Sequence, residues 1–131
     1  MRRLLIFLSF LLLLSACIDN QEEVKLKDKI ISSFQEEGIH LEVQKDNSKS
    51  FDFPESKEEN YDFEGGRIIL FYNFGNRERI KERIDGNLAV MEFTHSPEVY
   101  YYDDFAIIYF PHTDHQELNE KVRNALDKLK A

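Results

Sequence analysis

The spacing of hydrophobic positions changes several times along the 131 residues, and each spacing predicts an element. Leu4 to Leu14 is an apolar run of 11 residues broken only by Ser9. After a polar stretch, Val24, Ile31 and Phe34, with Lys27 and Ile30 alongside, recur at a helical period. They predict a helix over about 22–37, with Gly38 as its C′ residue. Ile39, Leu41 and Val43 then alternate with His40, Glu42 and Gln44, as in a strand with one wet face.

Lys45 to Gly66 holds seven acidic and three basic residues, with Pro54 and the Gly65-Gly66 pair. It reads as a long charged loop, with an edge strand ending near Phe63. Phe51, Phe53, Tyr61 and Phe63 keep it from being featureless. Ile68 to Phe74 is nearly all apolar and β-forming, which predicts a central strand covered on both faces. Asn76 is placed to cap a helix of about 77–85, with Ile80 and Ile84 inward and Gly86 as terminator.

Ala89–Thr94 and Val99–Tyr102 read as strands separated by Ser96-Pro97, and Asp103-Asp104 as a tight turn into the strand Phe105–Phe110. Thr113 or Asp114 caps a last helix, where Thr113–Gln116 and Asp114–Glu117 both match capping-box spacing. Leu118, Val122, Ala125, Leu126 and Leu129 form its core stripe. This order predicts an α+β fold: a single small domain with a mainly antiparallel sheet of about four strands and about three helices packed on one face.

The N-terminal run differs in kind. Arg2 and Arg3 precede it, and the small residues Ser15 and Ala16 follow. That is the layout of a secretory signal, and it falls short of the roughly 18 apolar residues a spanning helix needs. Its end, Leu14-Ser15-Ala16-Cys17, resembles the lipobox of a bacterial lipoprotein signal peptide and holds the only cysteine. Two rival readings are an ordinary cleaved signal peptide and an uncleaved N-terminal anchor.

The resemblance extends to the polar tether, to Gly65-Gly66-Arg67-Ile68-Ile69-Leu70-Phe71-Tyr72-Asn73-Phe74 leading into a charged helix, and to the late apolar strand with its terminal helix. Together these resemble small uncharacterised lipoproteins of Bacillus and related Gram-positive bacteria. The resemblance implies cleavage after residue 16, lipidation of Cys17, a lipidated N-terminus and polar tether over 17–23, and a domain over 24–131. It implies a location on the outer face of the cell membrane, and no activity comes with it. Two acyl chains on Cys17 would anchor stably, whereas a single chain binds a membrane only marginally.

Charge and cysteine content narrow the partners. Without residues 1–16 the chain has 115 residues, with 15 basic against 25 acidic side chains and a formal charge of −10. Nucleic-acid binders carry basic patches, so nucleic acid is disfavoured as a partner, and direct binding to anionic headgroups is too. With Cys17 lipidated, no thiol remains for a disulfide, a thiolate metal site or a cysteine nucleophile.

Candidate chemistry is sparse. His112, Asp114 and His115 place two imidazoles and a carboxylate at a strand–helix junction, a metal candidate given a fourth ligand such as Glu117. The competing reading is a set of exposed loop residues around a cap. The acids from Asp46 to Glu64 lack the spacing of a calcium loop. Asp103-Asp104 suits a turn better than acid–base work. On a strand, Tyr100 and Tyr102 share one face and Tyr101 takes the other, so an exposed tyrosine pair could stack on a ligand or pack within the sheet.

Arg77, Arg79, Lys81 and Arg83 share their helix with Glu78, Glu82 and Asp85, as in a solvated face paired within the helix. No nucleophile elbow or glycine-rich phosphate loop is present, and no cofactor is expected. The sequence thus points to a non-enzymatic, membrane-anchored accessory or protein-interaction module with an envelope partner. The alternative is a small-ligand or metal-binding lipoprotein.

Overall fold

The structure is a computed structural model that describes residues 21–44 and 50–130. The signal segment, Cys17 and the start of the tether lie outside the described residues, as does part of the charged loop.

The first helix, α1, covers 21–36. Ile30 and Phe34 are fully buried, with Leu26, Ile31 and Lys27 partly so. Val24, expected on the inner stripe, is 55% exposed, and the buried face is centred instead on Leu26, Ile30 and Phe34. Gly38 terminates the helix at φ +78. The amide of Ile39 donates to the Phe34 carbonyl and that of Gly38 to the Gln35 carbonyl, both at 2.9 Å. This Schellman arrangement satisfies two carbonyls that the helix end leaves open.

Five strands follow: β1 (Glu42–Val43), β2 (Lys57–Phe63), β3 (Gly66–Tyr72), β4 (Glu98–Tyr101) and β5 (Phe105–Pro111). They form one antiparallel sheet in the order β1-β2-β3-β5-β4. Two further helices complete the fold, α2 (Arg77–Ala89) and α3 (Gln116–Lys128).

Several expectations are corrected. The strand expected over 39–44 pairs only at Glu42 and Val43. Ile39 and Leu41 do point inward, but Val43 is exposed. The segment read as charged loop contains β2, which pairs along its whole length with β3 and has β1 on its other side, so it is not an edge. Its acids obscured it: they lie on a strand whose inner residues, Asn60 and Tyr61, are buried. The central strand stops at Tyr72, because Asn73 turns the chain at φ 56.

Gly86 does not end α2. The helix runs on to Ala89, since Ile80, Ile84 and Leu88 continue the inward i, i+4 stripe past the glycine. Ala89–Thr94 is therefore not a strand; from Val90 to Pro97 the chain is irregular. Asn76 caps α2 as expected, accepting from the amide of Arg79.

The helices also do not share one face. Side chains of β3 alternate, so Ile68, Leu70 and Tyr72 join Ile107 and Tyr109 beneath α1 and α3, around Ile30, Phe34, Val122 and Leu126. Ile69 and Phe71 join Ala106 and Ile108 on the opposite side, against Ile80 and Ile84 of α2 and Phe53. The first face is sealed by polar clasps between layers. Ser33 Oγ donates to the Ala125 carbonyl (2.5 Å), the Tyr102 hydroxyl to the Leu126 carbonyl (2.7 Å) and the Tyr109 hydroxyl to Asn119 (2.5 Å).

Candidate functional site

The unequal covering of the sheet creates the main concavity. Two helices seal one face, while among the described residues α2, 13 residues and roughly 20 Å long, is the one helix on the other. Strand pairing sets Arg67 opposite Phe110 and Asp62 opposite Arg67, so these side chains share the α2 face, at the end where only the last turn of the helix, with Asn87, meets the cleft. Loops border that end, leaving a cleft of about 620 Å³.

Its floor is apolar: Phe51, Ile69, Met91, Phe93 and Phe110. The rings form a connected row, with Phe93 5.9 Å from Phe110 and Phe110 stacked 6.5 Å from Phe51. Phe51 in turn meets Phe71 of the core edge-on at 5.7 Å. Phe51 is held by Glu58, whose carboxylate accepts from the amides of Ser50, Phe51 and Asp52 at 2.7, 3.0 and 3.3 Å. The rim is polar, with Arg67, Glu92, His95 and His112 as its ionisable groups. Arg67 Nε donates to Asp62 at 2.6 Å, and His95 Nδ1 lies 2.8 Å from Asp114 Oδ1. A carboxylate can only accept there, which places the proton on that ring nitrogen.

The metal candidates do not converge. His112 stands on the cleft rim, Asp114 holds His95, and His115 turns back to cap α3, its Nδ1 accepting from the Leu118 amide at 3.4 Å. The cap is thus His115 rather than Thr113 or Asp114, because the helix starts at Gln116 and Thr113 Oγ1 is used by the His115 amide. Among the described residues no group of three or more His, Cys, Asp or Glu could hold a metal ion.

The tyrosines take the faces expected but do not form a free pair. Tyr102 is buried and stacked on Phe105 at 4.2 Å. Tyr100 bonds Glu98, with burial raising its pKa to about 12, and Tyr101 bonds Asp85 on α2. The basic residues of α2 pair outside their helix: Arg79 and Arg83 both reach Glu55, Arg77 lies 3.8 Å from Asp103, and Lys81 sits over the Tyr101 ring. Asp103 and Asp104 occupy the β4–β5 turn and are exposed.

A second, polar recess of about 420 Å³ lies beside α1, lined in part by Glu23, Lys57, Tyr72 and Asp104. Its polar network runs from Lys27, which bonds Glu23 (3.1 Å) and Glu59 (2.5 Å) and sits over the Tyr72 ring, to the Tyr72 hydroxyl, which donates to Glu23 at 2.7 Å. That hydroxyl, with Lys27, holds the Glu23 carboxyl below its ordinary pKa. Burial works against the Lys27 ammonium, but its bonds to Glu59, Tyr72 and Glu23 outweigh it and raise its pKa. Tyr61, two residues from Glu59 on β2, is fully buried, and its hydroxyl has no hydrogen-bond partner among the described residues. Burial raises its pKa.

No family model, curated protein or solved structure matches the chain. Among the described residues no helix is long and apolar enough to cross a membrane.

The sequence does not reveal the cleft because its lining comes from four separate segments. Phe51 stands out as an aromatic within a charged stretch, whereas the pattern around Met91 and Phe93 predicts a strand.

Proposed function

We propose that the chain is a lipid-anchored extracytoplasmic accessory module that acts by binding rather than by catalysis, with the aromatic cleft as its binding surface. The observation that carries this reading is the cleft, an apolar floor of about 620 Å³ with a polar rim. Its volume falls within the range of ligand sites. The lipobox-like Leu14–Cys17 segment supplies the anchor in this reading. The shifted ionisable groups support binding over catalysis, since they belong to ion pairs or to tyrosines raised mainly by burial, away from the cleft.

Photo-crosslinking in cells tests the reading. A benzoylphenylalanine at Met91, on the cleft, should yield a discrete adduct by intact mass or gel shift. The same group at Lys25, exposed on α1, should not. Equal labelling from both positions, or none from either, would overturn the proposal. In the same cells Cys17→Ser should remain unprocessed or leave the membrane fraction.

A further inference from the structure

Resting on the reading of the cleft as a binding surface, we infer that its ligand is a small amphipathic carboxylate: an organic acid with an aryl or branched alkyl body. The body would lie along Phe51, Phe93 and Phe110, and the carboxylate would meet Arg67 and His112.

Donor placement carries the inference. The cleft lining holds three side chains that can donate from nitrogen, Arg67, His95 and His112, and a single carboxylate, Glu92. Two of the donors sit at one end. Arg67 is paired with Phe110, Gly66 with Pro111, and the His112 amide donates to the Gly65 carbonyl at 2.9 Å. Arg67 and His112 therefore both lie where this strand pair ends, and both line the cleft with Phe110. Asp114, two residues on, holds His95, which lines the same cleft.

The carboxylates that pair with Arg67 and His95 are not part of the cleft lining. Asp62 occupies one guanidinium nitrogen, Nε, leaving the remaining N–H groups for a second acceptor. The imidazole of His112 has no partner among the described residues and is exposed. An apolar slot with donors at one end selects a molecule built the same way: an apolar body ending in a planar anion that a guanidinium can grip.

The test uses the processed, lipidated chain in nanodiscs, with empty nanodiscs as control. Saturation-transfer NMR titrations would compare 4-phenylbutyrate with its neutral isostere 4-phenylbutanamide. The carboxylate should bind at least tenfold more tightly. Arg67→Gln should bring it to the level of the amide without changing amide binding, and His112→Ala, at an exposed position, should weaken it at least threefold. Met91→Trp, which fills the cleft, should weaken both probes.

Equal affinity for the two probes, or a carboxylate preference that survives both Arg67→Gln and His112→Ala, would overturn the inference. Should neither probe bind while crosslinking from position 91 captures a protein, the ligand class is wrong and the binding-module reading stands. Should both fail, both are wrong. Thermal melts of each variant separate loss of binding from loss of fold.

Discussion

The Tyr72 hydroxyl donates to the Glu23 carboxylate at 2.7 Å, joining the beginning of the first helix to the end of the central strand. The two residues are 49 apart in sequence, and Lys27 bonds the same carboxylate from one helical turn away. Because this arrangement lowers the Glu23 pKa, its stabilisation is present above the ordinary carboxyl value of 4.5 and is lost as pH falls through the native value. Lys27 behaves in the opposite sense: its raised pKa gives stabilisation present below 10.5 that is lost as pH rises through the native value. Glu23→Gln should cost about 1 kcal/mol near neutral pH. In chemical denaturation measured at several pH values, the gap from the parent protein should narrow steadily as pH falls below 4.5. A constant gap across that range would show that the charge on Glu23 is irrelevant.

The β2–β3 turn depends on Gly65. It sits at φ +101, and a Cβ there would collide with the Leu118 side chain of α3. Leu118 is flexible enough to shift, but the backbone conformation remains unfavourable for any L side chain. Gly65→Ala should lower stability by about 1–3 kcal/mol, read as a lower denaturation midpoint with unchanged slope.

Gly86 presents the reverse case. It lies inside α2, has no positive φ, and a Cβ there would meet nothing within 4 Å. Gly86→Ala should stabilise by about 0.5–1 kcal/mol, seen as a higher melting temperature. A drop in stability would mean that the helix does not continue through this position.

The inner face of α1 can be mapped by paired truncations. Ile30→Ala removes a fully buried side chain and should cost about 2–4 kcal/mol, whereas Val24→Ala, at a 55% exposed position, should stay within about 0.5 kcal/mol. Comparable losses at both would move the buried stripe back to where periodicity alone had set it.

Sequence pattern located elements whose signals were local and unopposed. Asn76 and Gly38 marked helix ends because each acts through bonds to its own neighbourhood, and the stripe of α3 was legible because Val122, Ala125, Leu126 and Leu129 all face one core. Gly86 misled because a glycine's preference for helix ends is worth only about 1 kcal/mol, less than burying Leu88 one turn beyond Ile84. β2 was hidden because three of its seven residues are acidic, and their partners, Lys27, Arg67 and the Ser50–Asp52 amides, come from other segments. The distribution of helices over both faces was illegible for a related reason. An all-apolar strand such as Ile68–Tyr72 announces that both sides are covered, without saying by which helix.

The sheet ends on one side at a strand of two residues, Glu42–Val43, and on the other at one of four, Glu98–Tyr101. A neighbouring chain seeking to extend the hydrogen-bonded ladder would find almost no rungs at the first border. At the second it would have to work around Glu98, which Arg123 holds at 2.9 Å. Borders this short resist templated growth, so the domain can carry nine phenylalanines and the apolar run Ile68–Tyr72 in its central strand with little tendency to polymerise through its sheet.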